Sequence, residues 1–161
     1  MTRRCGWDSR GANASVRMGD VVLILDTDHL SALDRRSAPG AELQRSLSAE
    51  DRVVAISIVT VEEQLRGWLA RIAKLRDPAR LVAAYGELQD RLDSFSRWIV
   101  LPWDMRAAAT FQQLRHAKLR VSTLDLRIAS IVIAADATLL TRNLRDFGRV
   151  PGLKVENWLD R

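Results

Sequence analysis

Short apolar runs alternate with stretches of helical length and periodicity from residue 21 almost to the end of the chain, and this alternation limits the fold more than any other feature. VVLIL (21–25), VVAIS (53–57), WIVLP (98–102) and ATLLT (137–141) read as strands, and LKVEN (153–157), after Pro151–Gly152, as an edge strand. Helices are expected at 28–36 and 41–48, separated by the punctuation of Pro39–Gly40. Further helices are expected at 61–76, at 79–95 beyond the Asp77–Pro78 break, and at 104–118 and 124–136. Strands that are apolar throughout are buried on both faces, and helical connections between them imply parallel pairing. The expectation is therefore an α/β fold, a three-layer α/β/α sandwich with a central parallel sheet, in one domain over 21–161.

Residues 1–20 read differently. They carry Gly, Ser and Asn, show no apolar periodicity and lack the apolar stretch of a secretory signal, so they are expected to form a disordered N-terminal extension, with Met18 as a natural start. No apolar run in the 161 residues approaches the roughly 20 needed to span a membrane. A cytoplasmic protein without a membrane partner is expected. One cysteine, Cys5, excludes an internal disulfide framework, and two histidines, His29 and His116, leave carboxylates as the available metal ligands. The net charge is +5, and 22 of the 25 basic residues are arginine, whose planar fork suits phosphate. A GC-rich genome would enrich arginine as well, so the charge admits a nucleic-acid partner without requiring one.

In open α/β sheets ligands bind beyond the carboxyl ends of the strands, and acids gather at that edge. Asp26 ends the first strand in LILDTDHL. Glu63 follows the second in SIVTVEEQLRG, in the expected first turn of its helix. Asp125 opens a helix in STLDLRIAS, and Asn143 and Asp146 follow the strand ending at Thr141 in LLTRNLRDF. Each acid has a structural explanation. Thr60–Glu63 and Ser122–Asp125 fit the capping-box spacing, Asp26 or Asp28 fits a helix N-cap, and Asp146 fits a turn. Converging carboxylates nevertheless repel one another and call for a cation. A set of oxygen ligands selects Mg²⁺, with Mn²⁺ as the alternative, and such a site suits hydrolysis of a phosphodiester by water.

Taken in order and spacing, LILDTDHLSAL, SIVTVEEQLRG, TLDLRIAS, LLTRNLRDF and the terminal VENW resemble the PIN-domain ribonucleases, and within them the VapC-type toxins of bacterial toxin–antitoxin pairs. The resemblance covers about residues 21–159. It implies that Asp26, Glu63 and Asp125 are metal-binding acids, with Asp125 preceding an Ile128–Ala129 pair. It also implies a fourth acid where this chain has Asn143, with Asp146 contributing nearby. The catalytic set is then Asp26, Glu63, Asp125 and Asp146, with Thr27, Asp28 and Asn143 as further pocket residues. A metal-dependent endoribonuclease, a homodimer and a small antitoxin that covers the acidic pocket are implied in the same way.

Other residues carry weaker signals. Arg115, Lys118 and Arg120 precede the Asp125 motif and are candidates for RNA phosphate contact. Arg66, Arg71, Lys74, Arg76 and Arg80 read as a solvated helix face, and His29 as a surface or packed residue. Trp68, Trp98, Trp103 and Trp158 sit among apolar residues and read as core packing. Two alternatives remain. A PIN fold could bind RNA or protein without cutting, although none of its three acids is missing. The LDTD strand end also fits a haloacid-dehalogenase-type phosphatase, with Asp26 as nucleophile and Asp28 as acid/base.

Overall fold

The structure is a computed structural model that describes residues 22–35 and 37–160. The N-terminal extension expected over 1–20 lies outside the described residues. The chain forms β1 (Val22–Leu25), α1 (Thr27–Asp34), α2 (Ala38–Ser48), β2 (Val53–Ser57), α3 (Ile58–Ala73) and α4 (Pro78–Phe95). It continues through β3 (Ile99–Leu101), α5 (Met105–His116), α6 (Thr123–Ala134), β4 (Thr138–Leu140), α7 (Leu144–Phe147) and β5 (Lys154–Glu156).

Five strands pair in the order β3-β2-β1-β4-β5, and every pairing is parallel. The expected sandwich is borne out, and the reason is visible in β1. All four of its residues are buried: Val22 and Ile24 join one core, Leu23 and Leu25 the other. The first core packs β-strand residues such as Ala55 and Leu139 against Leu114 of α5 and Ile128 and Val132 of α6. The second packs Val54, Ile56 and Leu140 against Leu30 of α1, Leu43 of α2 and Phe95 of α4. An apolar strand with helices on both faces has no polar side to present.

Two local details differ from the sequence expectation. Pro39 and Gly40 do not separate α1 from α2 but lie in the first turn of α2, which Ser37 caps by accepting the Gly40 N–H at 3.2 Å. Proline is well suited to a first helical turn, where its missing N–H would have had no partner. Gly40 serves a close approach: a Cβ there would sit 2.0 Å from the Ala32 carbonyl oxygen, so glycine lets α2 pack onto the α1 backbone. The four-residue α7 was not expected from the sequence, because one helical turn has no periodicity to read.

β1 is the topological pivot. The chain steps outward from β1 to β2 and β3, then returns to the other side as β4 and β5. The crevice at such a reversal, beyond the strand carboxyl ends, is where open α/β sheets bind ligands. Asp26 closes β1 and Thr141 closes β4 at that crevice, and the Asp26 N–H donates to the Leu140 carbonyl at 3.0 Å. No helix among the described residues is long and apolar enough to cross a membrane.

Candidate active site

Asp26 is the buried centre of the edge. It is 9% exposed, and each of its carboxylate oxygens accepts one hydrogen bond: from the Thr27 N–H at 2.8 Å and from the Thr141 hydroxyl at 2.7 Å. The Thr141 oxygen accepts the Asn143 N–H at 3.0 Å, so the start of α7 is tied to Asp26 through one hydroxyl. Burial raises the Asp26 carboxyl from 3.8 to about 6. Its two hydrogen bonds oppose that rise, while the negative charges of Asp28 and Glu63 add to it.

Glu63 reaches the same place from α3. Ser57, not Thr60, caps this helix, accepting the Thr60 N–H at 3.0 Å. Glu63 therefore lies in the second turn rather than the first, and the capping role that its spacing from Thr60 suggested is absent. It is an exposed acid held across the groove between α1 and α3, where its Oε2 accepts the Thr27 hydroxyl at 2.5 Å.

Asp125 keeps its structural role and gains a second. Ser122 caps α6 by accepting the Asp125 N–H at 3.0 Å. Burial raises the Asp125 carboxyl, the Ser122 hydrogen bond opposes this, and the charges of Glu63 and Asp146 raise it further. Asp26, Glu63, Asp125 and Asp146 thus form one chain of mutually repelling carboxylates, assembled from β1, α3, α6 and α7. Asn143 caps α7 and accepts the Asp146 N–H at 3.4 Å. Arg149, which the sequence did not single out, lies 3.7 Å from Asp146 and donates to the Arg120 carbonyl at 3.2 Å.

Asp28 is occupied differently. Its Oδ1 faces the His29 N–H and Nδ1 at 2.6 and 2.7 Å, and its Oδ2 accepts the Arg142 N–H at 2.8 Å. Burial pushes this carboxyl up, but the hydrogen bonds from His29 and Arg142 outweigh it and hold Asp28 below its ordinary value. A phosphatase acid/base must carry a proton to donate, and the lowered Asp28 carboxyl, tied to His29 and the Arg142 N–H, does not favour one. His29 is fully buried, and its Nε2 accepts the Trp158 N–H at 3.2 Å, which leaves Nδ1 to carry the proton toward Asp28. It is a packed histidine that fastens the C-terminal segment.

Among the described residues no three His, Cys, Asp or Glu side chains are drawn closely enough together to hold a metal ion as they stand. The donor chemistry nonetheless fits a hard cation. Mg²⁺ keeps several waters and is bound by one or two carboxylates plus substrate phosphate oxygens, so a tight protein cage is not required. Asp26, Glu63 and Asp125 are the oxygens that would hold it.

The remaining candidates are placed by their own contacts and exposure. Arg115 ends α5 with its guanidinium 5.9 Å from the Phe111 ring, and Lys118 and Arg120 are exposed in the loop leading to Ser122. The four tryptophans do not share one role. Trp158 is buried and Trp98 packs half-buried on the second core. Trp103 is 38% exposed against Phe111, and Trp68 is half-buried beneath two arginines. Thr141 is a pocket residue that the sequence reading passed over, although its place at the end of a strand beside β1 was a usable signal.

No protein-family model matches the chain. It is 31% identical over 117 residues to Ribonuclease VapC2 of Rickettsia felis, covering 70% of this chain and 79% of that protein. It is 30% identical over 109 residues to the tRNA(fMet)-specific endonuclease VapC of Salmonella typhimurium, covering 65% of this chain and 75% of that protein. Among solved structures, VapBC2 from Rickettsia felis bound to a promoter DNA fragment is similar with a TM-score of 0.64 and 27% identity, over 86% of this chain and 99% of that one. DNA-bound VapBC from Salmonella typhimurium is similar with a TM-score of 0.63 and 26% identity, over 86% and 98%.

Proposed function

Because the chain belongs to the VapC family of PIN-domain ribonucleases, we propose that it is a metal-dependent endoribonuclease, the toxin of a toxin–antitoxin pair, that hydrolyses RNA at the carboxylate cluster. The observation that carries this reading is the convergence of Asp26, Glu63, Asp125 and Asp146 from four separate elements on the β1/β4 crevice. Burial, and after it repulsion from the neighbouring acids, raises Asp26 and Asp125, a cost to the fold that a bound cation would offset.

Asp26, Glu63 and Asp125 would hold a Mg²⁺ or Mn²⁺ ion, which would supply charge neutralisation for a phosphodiester and acidity for water. The protein's own groups do the rest. Thr141 and the Thr27 N–H fix both oxygens of Asp26, and the Thr27 hydroxyl holds Glu63 in reach of the same space. Ser122 orients Asp125 from the N-terminus of α6. Arg149 beside Asp146 offers a cation at the outer rim, where a phosphate approaches. Arg120, whose carbonyl accepts from Arg149, and Arg115 and Lys118 ahead of it in the chain are the further candidates for phosphate contact.

Two partners belong to the same reading. The VapBC assemblies among the similar structures support a small antitoxin as a binding partner of this chain. A second copy is expected on the apolar groove of about 970 Å³ lined by Ile58, Leu65, Leu69, Trp103 and Phe111, three of which are markedly exposed.

Cleavage of a cellular RNA pool by wild type, Asp26→Asn and Asp125→Asn tests the proposal, each with Mg²⁺, Mn²⁺ or EDTA. Cleavage should require metal and fall by on the order of 10³-fold in either variant, which corresponds to several kcal/mol of transition-state stabilisation. Equal cleavage in EDTA, or by Asp26→Asn, would refute the carboxylate–metal assignment.

A further inference from the structure

The hydrogen bond between Thr27 and Glu63 closes one end of the groove between α1 and α3, and one helical turn along the same two helices a cavity of about 310 Å³ opens. Ser31 and Gly67 line it, each four residues beyond Thr27 and Glu63, or ~6 Å along the helix. Gln64, Trp68 and Arg71 of α3 and Arg91 of α4 complete the wall.

Three observations describe what this cavity would accept. First, its charge favours an anion: Arg35, Arg71 and Arg91 line it against one acid, Asp34. Arg91 pairs with Asp34, and Arg71 reaches Glu87 at 2.9 Å in an exposed pair that competes weakly with a phosphate. Second, the Trp68 ring lies under both guanidinium groups, 5.0 Å from Arg71 and 6.0 Å from Arg91. Aromatic rings and guanidinium groups are surfaces on which unstacked bases lie. Third, the Gln64 side-chain nitrogen is buried without a hydrogen-bond partner among the described residues. A buried donor left unpaired is costly until something supplies an acceptor. Gly67 borders the cavity on open space, with nothing within 4 Å of where a Cβ would stand.

We propose that this cavity is a nucleotide subsite for the RNA strand flanking the cleaved bond. A backbone phosphate meets Arg71 and Arg91, the base stacks on the Trp68–arginine layer, and the Gln64 amide meets the base edge. The inference rests on the ribonuclease reading and adds where the strand lies: from the carboxylate cluster along the α1–α3 groove toward α4. At ~3.4 Å per stacked nucleotide, a displacement of ~6 Å along the helices places the bound nucleotide about two positions from the cut. An acidic peptide would also satisfy the arginines. It would, however, leave the aromatic surface of Trp68 and the buried Gln64 amide without the base they suit, so RNA is the occupant the site favours.

The test uses a fluorescein-labelled, mixed-sequence, single-stranded 12-nucleotide RNA, with binding followed by anisotropy in the Asp26→Asn background so that the strand is not cut. Arg71→Gln, at an exposed position, should keep the melting temperature, weaken binding about tenfold and lower the salt slope by about one. Trp68→Phe, which retains a ring, should weaken binding less than Trp68→Leu. A 4-thiouridine-substituted strand should crosslink to the segment from Gln64 to Arg71. Unchanged affinity and salt slope in Arg71→Gln, or crosslinks confined to other segments, would overturn the subsite. So would a ten-residue polyglutamate that binds through Arg71 while RNA binding is insensitive to it. Cleavage by the wild type, measured in parallel, separates the two failures. Cleavage with Arg71-independent binding removes the subsite alone, whereas RNA neither bound nor cut removes the ribonuclease reading with it.

Discussion

Asp26 works against the folded state at neutral pH. Its carboxyl titrates at about 6 when folded and at 3.8 when free, so between these values the folded protein holds the proton more tightly than the unfolded chain. Stability is therefore fully present below about pH 4, falls as pH rises toward 6, and stays reduced above it. At about 1.4 kcal/mol per tenfold change in proton affinity, the penalty approaches ~3 kcal/mol. Asp26→Asn removes the charge and keeps one carbonyl acceptor for the Thr27 N–H or the Thr141 hydroxyl, which gives back part of that amount. The variant is expected to melt several degrees above wild type in EDTA at pH 7.5 and to lose this advantage at pH 4, as read by calorimetry. A metal-free variant less stable than wild type at pH 7.5 would show that the two hydrogen bonds outweigh the buried charge. Gain of stability with loss of cleavage is the pattern expected of a group kept for chemistry.

Among the elements, α3 does three jobs with different faces. Glu63 faces the carboxylate cluster, Gln64 and Trp68 face the arginine-lined cavity, and Leu65 and Leu69 face the apolar groove shared with Trp103 and Phe111. If two copies pair through that groove, Leu69→Glu should convert a dimer into a monomer by light scattering. Leu69 is 55% exposed, so the melting temperature of the isolated chain should scarcely change. A wild type that is monomeric at all accessible concentrations would remove the pairing. The strands were legible in the sequence because runs such as VVLIL and VVAIS are apolar without alternation, which only a doubly covered sheet explains. Helix starts were less legible. Thr60 and Glu63 have capping-box spacing, yet Ser57 sits three residues earlier and wins the cap because the helix begins directly at the end of β2. Asp26, Glu63 and Asp125 could be read as one cluster because strand ends share an edge in any parallel sheet. The cavity at Trp68 could not, because it exists only where α1, α3 and α4 meet, and no single segment carries that information.

At the scale of the whole molecule, the C-terminal segment locks the site from behind. The Thr141 N–H donates to the Glu156 carbonyl at 2.9 Å, and the Arg142 guanidinium meets Asp160 at 3.0 and 3.2 Å. Arg142 also donates its N–H to Asp28, whose other oxygen holds His29, and His29 accepts the Trp158 N–H. The last residues, the start of α1 and the end of β4 are thus one network built around the crevice that holds Asp26. Trp158 anchors it: the side chain is 4% exposed within the second core, with Arg52 stacked 5.4 Å from its ring and its indole N–H donating to Glu156 at 2.7 Å. Trp158→Ala should cost ~3–5 kcal/mol, as for other buried large-to-small changes, and lower the melting temperature by on the order of 10 °C for a domain of this size. His29→Gln keeps an acceptor for the Trp158 N–H and should cost less. Because Asp28 and Arg142 depend on the same network, the folded fraction of Trp158→Ala should also cleave RNA more slowly per molecule at a temperature where it remains native. A melting temperature within a degree or two of wild type would show that the cores alone hold β1 and β4 in register, and that the C-terminal segment is a cover rather than a lock.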